Sequence, residues 1–159
     1  MNTLEFAIRL LTALILGASI GFERQWHQKS AGLRTNTLVC LGSAAFILLS
    51  IKIGGDATGR VASYIVSGIG FLGGGVIMKD GLTVRGLNTA ATLWCSAAVG
   101  SLCASGFPVE AFITVAFIVS TNLFLRPDFS SQKSVRKKKL IEKNKINPPT
   151  EISKNTQFN

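Results

Sequence analysis

Apolar residues dominate the chain from residue 4 to residue 125, broken at intervals by short polar or glycine-rich stretches. The runs cover about 4–22, 36–54, 61–79, 87–105 and 107–125. Each is close to the roughly 20 residues that carry a helix across a ~30 Å hydrocarbon core. The pattern predicts an all-α, polytopic helical membrane protein with about five transmembrane helices in one membrane domain, 1–129.

The breaks differ in kind. Glu23 to Thr35, ERQWHQKSAGLRT, is a basic polar loop, and its Trp26 suits an interfacial anchor. GGDATGR over 54–60 predicts a tight turn, from its glycines and aspartate. Residues 79–86 form a charged turn with Lys79, Asp80 and Arg85, and Gly106-Phe107-Pro108 breaks the chain again. From Ser130 the composition changes to RKKK at 136–139, further lysines and asparagines, then Pro148 and Pro149. So little apolar surface predicts a disordered cytoplasmic tail over 130–159. Such a tail either lies on anionic lipid, at roughly 1 kcal/mol per basic residue, or is simply solvated.

Small residues recur at helical spacing. Gly17 and Gly21 give one GxxxG pair. Ser63, Ser67, Gly70 and Gly74 line one face of the third run, which is expected to pack on another helix. In the fourth run Asn88, Thr92 and Ser96 recur every four residues, and Gly100 and Ala104 continue the row. Trp94 lies about 10 Å inside that run at 1.5 Å per residue, so its indole N–H is expected to find an internal partner.

Composition then fixes the orientation. The chain is 47% hydrophobic yet carries a net charge of +9. Both hold only if the charges are segregated. With five spans, Arg24, Lys29, Arg34, Lys79, Arg85 and the basic tail share one side, against Lys52 and Arg60 on the other. The positive-inside bias puts the amino terminus outside and the carboxy terminus in the cytoplasm. The amino terminus lacks a basic start and a small-residue cleavage pattern, so no removable signal peptide is expected. Cys40, Cys95 and Cys103 lack CxxC spacing and read as packing residues rather than disulfides or zinc ligands.

Candidate chemistry is sparse. There is no nucleophile paired with a histidine, no Gly-Lys-Ser/Thr phosphate loop and no cofactor fingerprint, so an enzyme, a cofactor and a metal site are not expected. Gly68 to Gly73 matches GxGxxG literally, but inside a membrane run rather than after a soluble strand. Glu5 and Arg9, one turn apart, read either as an interfacial pair with Arg9 snorkelling outward or as an intramembrane functional charge. His27 is the sole histidine, too few ligands for a metal. What remains borders the cytoplasmic side: Glu23, Arg24, Arg34, Thr35 and Asn36 from the first loop, and Asp80, Arg85, Asn88, Thr89 and Thr92 from the second. The helix-packing candidates are Gly17, Gly21, Ser67, Gly70, Gly74, Ser96 and Gly100.

GFERQWHQKSAGLRTNTLVCLG, RVASYIVSGIGFLGGGVIMKDG and VRGLNTAATLWCSAAVG, in this order over roughly 4–125, resemble the membrane domain of the MgtC/SapB family, its MgtC branch most of all. The family's Glu-Arg falls on Glu23 and Arg24, and its Gly-Leu-Arg-Thr on Gly32 to Thr35. Its glycine block falls on Gly68, Gly70, Gly73 and Gly75, and its Arg-Gly-Leu on Arg85 to Leu87. Gly74 stands where alanine is more usual, and the tail stands where many members carry a folded cytoplasmic domain, which implies a truncated or frame-shifted member.

The resemblance implies an inner-membrane protein linked to growth at low magnesium and to survival of pathogens inside phagocytes. It implies a non-enzymatic regulator acting on a membrane ATPase, such as the proton-translocating ATP synthase, through helix contacts. A homo-oligomer and contact of the tail with anionic lipid are further expectations; nucleic acid is not an expected partner. The alternative is a small transporter or channel for magnesium or another ion, with Asn88, Thr92 and Ser96 lining a path and Asp80 or Glu23 at its mouth. Against it, magnesium favours carboxylates, and no acid lies mid-membrane. A third reading is a lipid-binding scaffold built on the tail.

Overall fold

A computed structural model describes residues 1–80 and 83–125 of the chain. Among them are the helices α1 (Thr3–Trp26), α2 (Leu33–Ile53), α3 (Ala57–Gly75), α4 (Leu87–Ser105) and α5 (Pro108–Phe124). Between α3 and α4, β1 (Met78–Asp80) and β2 (Thr83–Arg85) pair antiparallel, with Lys79 opposite Val84. The basic tail, 130–159, lies outside the described residues.

The helix ends follow local chemistry. Gly106 adopts φ 89° at the end of α4, where the Phe107 N–H reaches the Leu102 carbonyl at 3.1 Å. This left-handed closure suits glycine, and Pro108 then opens α5 where its missing N–H costs nothing. Gly86, at φ 90°, starts α4; a Cβ there would strike the Val76 carbonyl.

The core lies where α1, α2, α4 and α5 meet. Ala13, Leu16 and Ile20 face Cys40, Ala44, Ile47 and Leu48, with Val99, Cys103, Ala111 and Val115 completing the cluster. Glycine sets the spacing. A Cβ on Gly17 would lie 2.6 Å from that of Cys40, and one on Gly21 2.6 Å from the Cα of Leu33. A Cβ on Gly100 would fall on the Cys40 carbonyl. The Gly17/Gly21 pair therefore serves the α1–α2 contact inside one chain. Residues 36 and 96, like 40 and 100, sit side by side, so α2 and α4 run parallel.

Large apolar side chains cover the outside, among them Phe22, Phe46, Phe71, Phe112 and Phe117. Such a surface suits hydrocarbon rather than water. Among the described residues α1, α2 and α4 are long and apolar enough to cross a membrane; α5 is an apolar helix of 17 residues. This is a helical membrane protein.

Several expectations need correction. The third element is α3 at 57–75, not 61–79: the turn is confined to Gly54–Asp56, and the chain pairs as a strand from Met78. Among the described residues the small face of α3 does not pack on another helix. Cβ atoms at Gly70 and Gly74 would meet nothing within 4 Å, and Ser67 is exposed. The neighbouring row, Ile69 and Gly73, is buried instead, with Gly73 against Ala90. Trp94 is 52% exposed and hydrogen-bonds to no described residue. It lies two residues after Thr92, roughly 200° around the helix, so depth in the run did not set its surroundings. Arg9 pairs with Glu5 as expected, but its other guanidinium nitrogen reaches inward to the Ala104 carbonyl at 2.6 Å. There it stabilises the carboxy-terminal end of α4.

The glycines divide into two classes with opposite responses. Gly100→Ala is expected to cost about 1–3 kcal/mol through overpacking, seen as a lower thermal midpoint in detergent. Gly74→Ala, with open space around it, is expected to leave that midpoint unchanged or slightly raised.

Candidate functional site

Several polar residues bordering the first loop are buried at one end of the bundle, in a network of three hydrogen-bonded groups. α1 continues past its apolar run to Trp26, which turns Glu23 and Arg24 inward in its last turns. The close approach at Gly21 starts α2 directly against α1, and the Leu33 N–H is met by Gln25 Oε1 at 3.2 Å. Past Gly86, α4 turns Thr89, Thr92 and Ser96 toward the same interior.

Arg24 is 1% exposed. Its Nη2 donates to Thr89 Oγ1 at 3.2 Å, while Nε is buried without a hydrogen-bond partner. Thr89 Oγ1 also accepts from Ser30 Oγ at 3.3 Å, using both of its lone pairs. No carboxylate lies within ion-pair distance of Arg24 among the described residues. Glu23 is adjacent in sequence but meets other partners. Its Oε2 accepts from Asn122 Nδ2 of α5 at 3.2 Å, and Oε1 lies 3.8 Å from His27 Nε2.

Asn36 is saturated. Its Nδ2 donates to the carbonyls of Ala31 (3.1 Å) and Gly32 (2.9 Å), and its Oδ1 accepts from Ser96 Oγ at 2.9 Å. The single Ser96 proton is shared with the Thr92 carbonyl at 3.0 Å. Thr92 Oγ1 turns back to the Asn88 carbonyl at 2.8 Å. One amide thus ties the loop, α2 and α4 together.

The structure therefore splits the predicted set. Glu23, Arg24, Asn36, Thr89, Thr92 and Ser96 are buried, in three groups: Arg24 with Thr89 and Ser30, Asn36 with Ser96 and Thr92, and Glu23 with Asn122. Arg34 and Thr35 sit on the exposed side of α2, and Arg85 and Asn88 are exposed beside the start of α4. Asp80 ends β1, opposite Thr83. Thr92 and Ser96 are packed and internally bonded, and do not line an open path with Asn88. Sequence reasoning left Gln25, Ser30 and Asn122 out of the site. Asn122 had a signal, as a lone amide in an apolar run; Ser30 had none, in a loop where polar residues are ordinary.

Chemically the arrangement locks helices. The Ser96 and Thr92 hydroxyls are committed to amide and carbonyl oxygens, and no three His, Cys, Asp or Glu side chains converge among the described residues. The unfilled capacity is on Arg24, whose buried Nε can serve one more acceptor.

A sequence profile of the MgtC family matches residues 10–129, which takes in every member of this network. The chain belongs to the MgtC family. It is 56% identical over 126 residues to Protein MgtC of Salmonella typhimurium, covering 79% of this chain and 54% of that protein. Protein MgtC of Brucella abortus is 57% identical over 119 residues, 74% of this chain and 50% of its own. An uncharacterised Synechocystis protein is 55% identical over 124 residues, 77% of this chain and 53% of its own. The chain thus spans about half the length of these relatives. No solved structure matches it. In this MgtC-family chain the motif residues Glu23, Arg24 and Gly32 to Thr35 part company: the first two are buried in the network, while Arg34 and Thr35 face outward.

Removing Ser96 tests the lock. Ser96→Ala leaves Asn36 Oδ1 without its donor and is expected to cost about 1 kcal/mol, the range for a hydrogen bond between membrane helices. Thr35→Ala, on the exposed side, is expected to change stability by less than about 0.5 kcal/mol. Denaturation midpoints in mixed micelles measure both.

Proposed function

We propose that this chain is a non-enzymatic regulator in the bacterial inner membrane. It supports growth at low magnesium and survival inside host cells by acting on a membrane ATPase such as ATP synthase. Family membership supports the setting, and one structural observation carries the mode of action. Helix α3 presents a face of small residues, Ser67, Gly70 and Gly74, that no helix among the described residues covers. Without a hydrophobic force between helices in lipid, such faces gain by close backbone approach to a partner helix. Thr92 and Ser96 of α4, by contrast, are spent on internal bonds, which favours a regulator over an ion path.

In this reading all five helices cross the membrane, the amino terminus is outside, and the buried network lies at the cytoplasmic end. Arg24, Lys29, Arg34, Lys79 and Arg85 then fall on the cytoplasmic side, as the positive-inside bias favours. A reporter fused after Phe129 is expected to behave as cytoplasmic; a clear external signal there overturns the topology.

A photoreactive residue at Gly70 or Gly74, in cells grown at low magnesium, tests the contact. Cross-linking to an integral subunit of a membrane ATPase is expected, reduced at least tenfold when the other glycine is leucine. Saturable magnesium uptake by proteoliposomes of the purified chain, with no ATPase cross-link, overturns the proposal in favour of a transporter.

A further inference from the structure

Helices α2 and α3 enclose an open groove of about 860 Å³ that the buried network does not use. Its walls are apolar, with Leu38 and Phe46 on α2 and Tyr64 and Leu72 on α3. Gly42 and Gly68 keep it open: a Cβ at either would meet nothing within 4 Å. Its polar end is formed by Arg34 and Thr35 in the first turn of α2. Among the described residues neither side chain has a hydrogen bond or ion pair. Among the described residues no aspartate or glutamate lines the groove.

We infer that this groove holds one anionic phospholipid, with its acyl chains between α2 and α3 and its phosphate at Arg34 and Thr35. Length argues for a lipid. From Arg34 to Phe46 the groove runs about 18 Å along α2 at 1.5 Å per residue. That is close to one leaflet of a ~30 Å hydrocarbon core, whereas a partner helix spans both leaflets. Charge argues for an anionic head group. A free guanidinium at the head-group level pairs with phosphate, and the positive end of the α2 dipole has the same preference. A zwitterionic head group would bring an ammonium with no carboxylate to receive it. The inference stands apart from the α3 face argued above, because Gly70 and Gly74 do not line the groove.

The test uses the full chain in nanodiscs of equal phosphatidylglycerol and phosphatidylethanolamine, released into mild detergent for native mass spectrometry. The wild type is expected to retain phosphatidylglycerol in preference to phosphatidylethanolamine. Arg34→Gln, at an exposed position, is expected to lower that preference about fivefold, the effect of one basic residue at an anionic surface. Gly68→Leu fills the groove from a position with free space and is expected to cut retention of both lipids without shifting the thermal midpoint. Equal retention of the two lipids by the wild type overturns the inference, as does a Gly68→Leu variant that keeps its lipid. A disulfide-linked dimer of Tyr64→Cys overturns it in favour of a second copy as the occupant.

Discussion

The bundle depends on one crowded residue. Cys40 is fully buried in α2 between Gly17 of α1 and Gly100 of α4, each too close to accept a side chain. In hydrocarbon, burial of apolar groups does not by itself hold helices together, so contact at backbone distance and a few hydrogen bonds must. From Cys40 the rest is a matter of register. One turn toward the loop, Asn36 meets Ser96, and Gly21 lets α2 begin against α1. One turn beyond Gly100, Ala104 offers its carbonyl to Arg9. A longer helix spacing at Cys40 would lose both ends of this arrangement.

Much of this was legible in the chain. Apolar run length gave α1, α2, α4 and α5 to within a few residues, because the bilayer imposes its thickness on the sequence. The third element was misplaced because its glycines, serines and flanking charges blur the hydropathy edge on both sides. The β1–β2 pair had no alternating signature over three residues a side. The small-residue rows were visible as rows, but spacing alone does not say which row is covered. Gly17, Gly21, Ser96 and Gly100 pack inside, whereas Ser67, Gly70 and Gly74 stay open.

The polar site was legible as a set and not as a geometry. Glu23, Arg24, Asn36 and Thr89 stood out as polar residues at the ends of apolar runs, and they do converge. Nothing in their spacing separated them from Arg34 and Thr35, which differ by a rotation about the α2 axis. That rotation was set by tertiary packing at Gly21 and Cys40. The result is a two-sided helix start: its inward amide is bonded to α4 and the loop, and its outward arginine has no partner among the described residues.

The parallel pairing of α2 and α4 bears on the order of assembly. The α1–α2 contact is made between helices joined by a short loop, and it can form early. The Asn36–Ser96 bond joins residues 60 apart in sequence, and loop closure over that distance waits for everything between them. Helix α3 meets the main core cluster only through the partly buried Val61, Ala62 and Ile65, yet it must first return the chain to the end where α2 began. A change in α3 can therefore leave the finished packing intact and still slow its formation. Such a helix bears on how the bundle is reached as well as on how it is held.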